Sequence, residues 1–419
     1  MELEVKKAER ISGVVNAPPS KSFTHRAFLI ASLAQGHSKI KYPLYSEDTN
    51  STLDCCRAFG ADIDASFDEC LINGTKGKFN TPNDVLDVKN SGTTIRLISS
   101  AAALAPNFTI LTGDGSLRTR PMQDLIEALH KIGVSILSSR DNGRAPIIIR
   151  GGIKGGTTSI PGDISSQFIS SILITAPYAD QAVDLEIRGK FISQPYVDIT
   201  IDIMKEFGVE VAVLNDNRFH VEPQKYKGTE YIVEGDYSSA SYLIAAAASL
   251  KSDLTIKNLN INSKQGDKLI LDIVKDMGSK VNLKDNEVNI RGKGELQGTD
   301  VNLKNTPDLL PTVAALGAMA EGNTTIYGAE HARFKETDRI HACAQELSKL
   351  GVNVTENKDG LTIEGGAKGG MVDSHNDHRM VMALYLIGLK VGGVKIRNAS
   401  VYDVSFPDFP EVMEKITDK

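Results

Sequence analysis

Six stretches of this chain are apolar on every side. They cover 22–34, 92–105, 165–176, 238–249, 308–320 and 377–389, and each sets alanine among Leu, Ile or Met. A helix without a polar face is buried all round, so six internal helices are predicted. His25, Ile95, Gln167, Ser239, Leu309 and His378 mark corresponding points, which puts the repeat at about 70 residues. A short alternating segment follows each helix, at 39–42, 108–111, 183–187, 254–256, 324–327 and 394–396. Alternation of this kind predicts a half-buried strand. A second, amphipathic helix comes next. In five repeats it stops at a glycine: Gly60, Gly133, Gly208, Gly278 and Gly351. Glycine there accepts the left-handed conformation that closes a helix. Hairpins are predicted at 62–73, 134–150, 209–221, 280–291 and 352–364, several with Asp and Asn at the turn.

The sixth repeat runs out of chain after its second helix, 409–416. The strand-like segments 2–6 and 13–16 are available to supply its missing hairpin, so the N-terminus is expected to complete the last repeat. An open solenoid is the rival arrangement. Repeats of about 70 residues exceed the usual solenoid range, and termini that meet imply closure. The expected fold class is therefore α/β: six βαβαββ repeats in two domains, three per domain, with buried helices. One domain spans 18–230; the other joins 1–17 to 231–419.

Composition narrows the function classes. The 419 residues carry a formal net charge of −6, which gives no electrostatic footprint for nucleic acid. No apolar run approaches the roughly 18 residues of a membrane span. Met1 leads straight into the alternation of Leu3 and Val5, and a cytoplasmic location is expected. Cys55, Cys56, Cys70 and Cys343 lack a C-x-x-C spacing and read as buried free thiols.

The helix starts carry the candidate chemistry. They hold Ser20-Lys21-Ser22 with Arg26, Asn90-Ser91-Gly92-Thr93 with Arg96, Ser165-Ser166-Gln167, Asp236-Tyr237-Ser238, Thr306-Pro307-Asp308, and Asn376-Asp377-His378-Arg379. Capping selects Ser, Thr, Asp and Asn at such positions. It does not select Lys21, Arg26, Arg96 or Arg379, because cations oppose the dipole of a first turn. Bound anions compensate them in this reading. The loop 113–121 adds Arg118 and Arg120, and 333–339 adds a run of mixed charge in which Lys335 pairs Glu336 and Asp338 pairs Arg339. The candidate site combines Lys21, Arg26, Arg120, Lys335, Arg339 and Arg379 with Asp308 and Glu336. Six cations suit substrates bearing several phosphate and carboxylate groups. Two carboxylates among them are placed for proton transfer. His375 and His378, three apart, are expected on one helix face; no third ligand is evident, so no metal is expected.

With these motifs in this order, the chain resembles the 5-enolpyruvylshikimate-3-phosphate synthases over its whole length. The resemblance rests on Pro19-Ser20-Lys21-Ser22 with Arg26, Asn90-Ser91-Gly92-Thr93 with Arg96, Arg118-Thr119-Arg120-Pro121, Ser165-Ser166-Gln167-Phe168, Ser193-Gln194-Pro195-Tyr196, Lys335-Glu336-Thr337-Asp338-Arg339 and Asn376-Asp377-His378-Arg379-Met380. It implies a two-domain inverse α/β barrel with an interdomain active-site cleft that closes on substrate. It implies transfer of the enolpyruvyl group of phosphoenolpyruvate to the 5-hydroxyl of shikimate 3-phosphate, without a cofactor, by a monomer. It places Lys21, Ser22, Arg26, Ser165, Ser166, Gln167, Ser193, Tyr196, Asp308 and Lys335 on shikimate 3-phosphate. Phosphoenolpyruvate falls to Lys21, Asn90, Gly92, Arg120, Gln167, Arg339, His378 and Arg379. Asp308, Glu336 and Lys21 are the implied catalytic groups. Val404 stands where many members have lysine, Gln194 replaces a frequent lysine, and Leu97 replaces a proline found in some. The alternative is UDP-N-acetylglucosamine enolpyruvyl transferase; its loop cysteine aligns with Gly115, and no cysteine lies nearby.

Overall fold

All five glycines expected to close a helix have positive φ: Gly60 +98°, Gly133 +89°, Gly208 +80°, Gly278 +107° and Gly351 +79°. A side chain is strained in that conformation, so these five repeats end their second helix where glycine stands. The computed structural model describes residues 1–417. The chain divides into two compact units, Pro19–Val233 and Met1–Pro18 with Glu234–Lys419, called here the 19–233 lobe and the 234–419 lobe.

Six helices build the 19–233 lobe in pairs: α1 (Lys21–Leu33) and α2 (Glu47–Ala58), α3 (Gly92–Ala101) and α4 (Gln123–Lys131), α5 (Ser166–Thr175) and α6 (Gln194–Glu206). The 234–419 lobe has α7 (Tyr237–Ser249) and α8 (Ile270–Asp276), α9 (Leu310–Met319) and α10 (Arg339–Lys349), α11 (His378–Val391) and α12 (Phe409–Ile416). The first helix of each pair is the internal one; every residue of α7 is buried. Serine and threonine let these helices approach closely without stranding a hydroxyl. Ser100 of α3 meets Ser171 of α5 at 2.6 Å, and Ser241 of α7 meets Thr312 of α9 at 3.1 Å.

Six sheets, among the described residues, surround the internal helices, three in each lobe. In the second repeat Leu86–Asp87 runs parallel to Phe108–Thr112, which pairs antiparallel with Ile147–Arg150 and so with Ser135–Ser138. The third and fifth repeats follow the same order.

The hairpin expected at the N-terminus does not form. Glu2–Val5 joins the sixth repeat, antiparallel to Val394–Arg397. Arg10–Asn16 lies parallel to Lys251–Lys257 in the sheet of the fourth repeat. The segment between them cannot turn back because it is tied across the end of α11. The Ala8 N–H donates to the Leu389 carbonyl at 2.8 Å, and Val5 packs where a Cβ on Gly388 would lie 2.5 Å from it. Glu230–Ile232 plays the matching part in the other lobe, parallel to His37–Lys41 of the first repeat. Each lobe is thus finished by the strand that lies just before the chain leaves it.

One local reading also changes. Asp308 sits in a separate 3-10 turn, Pro307–Leu309, ahead of α9. The charged run 333–339 spans the end of another 3-10 turn, Glu330–Phe334, and the start of α10 at Arg339, with Asp338 as its cap.

Candidate active site

In the 19–233 lobe, α1 begins at Lys21, whose Nζ donates to Asp48 at 2.8 Å. Asp48 lies in the first turn of α2, which is set by a capping box between Ser46 and Thr49. Sequence reasoning passed over Asp48, because an acidic residue beside a serine cap reads as capping alone. One turn on from Lys21, Arg26 is 1% exposed. Its Nε donates to Thr200 Oγ1 at 2.7 Å, Nη1 to the Ser22 carbonyl at 2.9 Å, and Nη2 to Ser170 Oγ and the Tyr196 carbonyl at 3.2 Å. Arg26 therefore ties α1 to α5 and α6. All four partners are neutral, and burial pushes the guanidinium down to about 10. A buried cation held only by neutral acceptors favours an anion arriving nearby.

The N-terminus of α3 forms a second cluster. Arg120 Nη2 donates to Asn90 Oδ1 at 2.6 Å, and Asn90 Nδ2 donates to Asp114 at 2.7 Å. A Cβ on Gly92 would lie 2.5 Å from Arg120 Nη1, so glycine lets the guanidinium lie against the first turn of α3. Arg96 Nη1 donates to Gln167 Oε1 at 2.6 Å, and Gln167 Nε2 donates to Thr93 at 2.7 Å. Ser165 caps α5 through the Gln167 N–H, with Ser166 buried behind it. Ser193 precedes α6 at φ +53°, and its carbonyl accepts from the Tyr196 N–H at 3.2 Å.

Beneath these groups His25 is fully buried, its Nδ1 2.7 Å from Thr52 Oγ1. Burial pushes it down to about 3, with Asp48 opposing and Lys21 and Arg26 adding. It is neutral when folded but takes a proton below about pH 6.5 when unfolded, so folding weakens as pH falls from 6.5 towards 3. The cost per histidine is up to about 1.4 kcal/mol per pH unit. Urea denaturation between pH 7 and 4 should show His25→Asn losing this slope relative to wild type; parallel profiles would contradict it.

The 234–419 lobe places its charges around Arg339, whose side chain is 1% exposed. Nη1 donates to Asp308 at 2.7 Å, Nη2 to Glu336 at 2.6 Å, and Nε to Asp377 at 2.8 Å. Burial opposes its charge, but Asp377, Glu336 and Asp308 outweigh that and hold the guanidinium above its ordinary value. Asp308 gathers three cations: Arg339 and Lys335 (3.6 Å) on Oδ1, and Arg379 on Oδ2 at 3.0 Å. The expected neighbour pairs in the charged run are replaced. Glu336 turns to Arg339, Lys335 to Asp308, and Asp338 takes Arg333 at 2.8 Å while capping α10. Asp377 caps α11 through the Arg379 N–H, and the buried His378 ring lies 3.9 Å from it, beyond hydrogen-bond range.

His375 is not on the helix face expected for it. It precedes α11 at φ +53° and directs Nε2 to the fully buried Glu346 at 2.6 Å, bracing the turn 374–377. Among the described residues no group of three or more His, Cys, Asp or Glu is arranged for a metal ion. All four cysteines are free and buried. No helix among the described residues is long and apolar enough to cross a membrane.

Asp267 also escaped sequence reasoning. It lies in the 3-10 turn Gly266–Leu269, is 1% exposed, and accepts a hydrogen bond from the Ser238 hydroxyl. Its only sequence signal was an aspartate inside Gln-Gly-Asp, which reads as a turn.

The model of the EPSP synthase (3-phosphoshikimate 1-carboxyvinyltransferase) family matches residues 5–413. A 3-phosphoshikimate 1-carboxyvinyltransferase of Methanothermobacter thermautotrophicus is 57% identical, with 99% of this chain and 98% of that one covered. One from Methanosphaera stadtmanae is 53% identical over 100% of both. Among solved structures, an EPSP synthase from Acinetobacter baumannii superposes with a TM-score of 0.83 at 27% identity, covering 99% of this chain and 98% of that one. The Lys-Glu-Thr-Asp-Arg cluster that ends on the buried Arg339 and the repeated helix starts have the same origin: the chain belongs to the EPSP synthase family.

Proposed function

We propose that the chain transfers the enolpyruvyl group of phosphoenolpyruvate to the 5-hydroxyl of shikimate 3-phosphate, releasing phosphate. Asp308 carries the reading: one carboxylate with cations on both oxygens, beside a second carboxylate, Glu336, on the same arginine. An anion-binding scaffold gains nothing from acids there; an acid–base catalyst needs them. Lys21, Ser22, Arg26, Ser165, Ser166, Gln167, Ser193, Tyr196 and Lys335 hold the acceptor in this reading. Asn90, Gly92, Arg120, Gln167, Arg339, His378 and Arg379 hold the donor.

Glu336, with Lys21, delivers a proton to the methylene carbon of phosphoenolpyruvate. The neighbouring carbon becomes electrophilic and bonds to the 5-oxygen, whose proton passes to Asp308. The tetrahedral intermediate then returns a methyl proton, and its C–O bond to phosphate breaks. Arginine on the departing phosphate stabilises the charge that develops there.

Phosphate release on mixing the protein with phosphoenolpyruvate and shikimate 3-phosphate tests this reading. Release is expected; release with a UDP-N-acetyl sugar acceptor instead would overturn it. Gly92→Ala displaces Arg120 from Asn90 and is expected to raise KM for phosphoenolpyruvate about tenfold, some 1.4 kcal/mol. KM for the acceptor should move far less; equal rises in both would contradict the placement of Arg120.

A further inference from the structure

Three anions and three cations close on one another around Arg339. Asp308, Glu336 and Asp377 are matched by Lys335, Arg339 and Arg379. Asp267 is a fourth acid, and its charge interacts with those of Asp308 and Arg379 in this set. One carboxyl oxygen accepts from Ser238, and the other is buried without a hydrogen-bond partner. A buried carboxylate so placed carries a large desolvation cost, which protonation removes.

The surrounding elements leave the acid unneutralised. From the start of α7, Asp236 faces it while accepting the Ser238 and Ser239 N–H groups at 2.7 and 3.3 Å. From the turn before α9 comes Asp308, and from α11 comes Arg379. Its own neighbour Lys268 is turned to the carbonyls of Ile261 and Ser263. On α8, Asp272 and Lys275 pair with each other in solvent. Two acids and one arginine therefore act on Asp267. Burial first and the charge of Asp308 next push its carboxyl up to about 7, against Arg379 and the Ser238 hydroxyl.

We propose that Asp267 is a positioning residue that carries a proton in the resting site, and that its ionisation loosens the hold of Arg379 on the anionic donor. The inference rests on the reading of Arg379 as a ligand of phosphoenolpyruvate. Neutral Asp267 leaves the field of Arg379 to the donor. When Asp267 loses its proton to water, the new charge competes for that arginine and repels a substrate already rich in negative charge.

The test compares wild type, Asp267→Asn and Ser238→Ala as full-length proteins between pH 6 and 9. Asparagine still accepts from Ser238 but cannot ionise. The ratio of KM for phosphoenolpyruvate, wild type over Asp267→Asn, is expected to rise about fivefold or more across this range, with kcat nearly unchanged. The donor's own phosphate titrates in both proteins and cancels in the ratio. Ser238→Ala removes a hydrogen bond to the charged form and is expected to move the wild-type midpoint upward. An infrared difference spectrum of the substrate-free proteins at pH 6 should show a protonated carboxylic acid band in wild type that Asp267→Asn lacks. A flat KM ratio, an unmoved midpoint in Ser238→Ala, or the absence of that band overturns the proposal. The infrared result decides the protonation state whatever substrates the chain proves to use.

Discussion

Asp308→Ala is expected to lower kcat by about 10² to 10⁴, the usual worth of a general base, while shikimate 3-phosphate still binds. The aspartate is placed by a 3-10 turn rather than by α9 itself, and Arg339, Arg379 and Lys335 converge on its two oxygens. Ion pairs on both oxygens fix the orientation of the carboxylate that takes the proton in the proposed reaction. Asp308→Asn separates charge from geometry, since the amide oxygen still accepts from one arginine. Both variants should fall by similar factors if the charge matters most. Steady-state kinetics with calorimetric binding of the acceptor decides it, and turnover like wild type in either variant would remove Asp308 from the chemistry.

Arg339→Ala is expected to cost more than activity. Its three donor nitrogens reach three carboxylates, Nη2 sharing Asp377 with Nε while also holding Glu336, and its side chain is 1% exposed. Removal leaves Asp308, Glu336 and Asp377 repelling one another in a poorly solvated site. Breaking a buried pair from one side typically costs about 3 to 5 kcal/mol. Arg339→Lys should fail almost as badly, because a point charge cannot reproduce a three-way planar fork. The deficit should shrink below about pH 4, where free carboxylates take up protons. Urea denaturation at pH 7 and pH 4 measures it; a stability loss under 1 kcal/mol at pH 7 would contradict the role given to Arg339.

The helices without a polar face, and the glycines that close the amphipathic helices after them, were legible because both signals are local. Gly60 or Gly351 needs positive φ whatever surrounds it. The partners of the N-terminal strands were not legible. Glu2–Val5 and Arg10–Asn16 both alternate, and alternation assigns a face, not a neighbouring strand. Their destinations are set by the Ala8 bond across α11, a contact between residues far apart in sequence. The charged run 333–339 misled for a related reason. Pairing by adjacency presumes that neighbours face each other, and in this irregular segment Lys335 and Glu336 reach separate partners. Asp48 and Asp267 share a third cause. Aspartate at a helix start or in a turn already has a bland explanation, and only burial beside Lys21 or near Arg379 gives it a second. The candidate anion ligands Lys21, Arg26, Arg96 and Arg379 stood out in the sequence because cations in a first helical turn break the rules of capping.

The origin of the methylene hydrogens in the product tests addition and elimination most directly. Turnover of phosphoenolpyruvate and shikimate 3-phosphate in D2O, followed by proton NMR, is expected to give an enolpyruvyl product carrying solvent deuterium at its methylene carbon. That carbon passes through a methyl group in this account, and Glu336→Gln should slow the incorporation. Product formed with its methylene hydrogens wholly retained would contradict the account, since no proton would then have reached that carbon from Glu336 or Lys21.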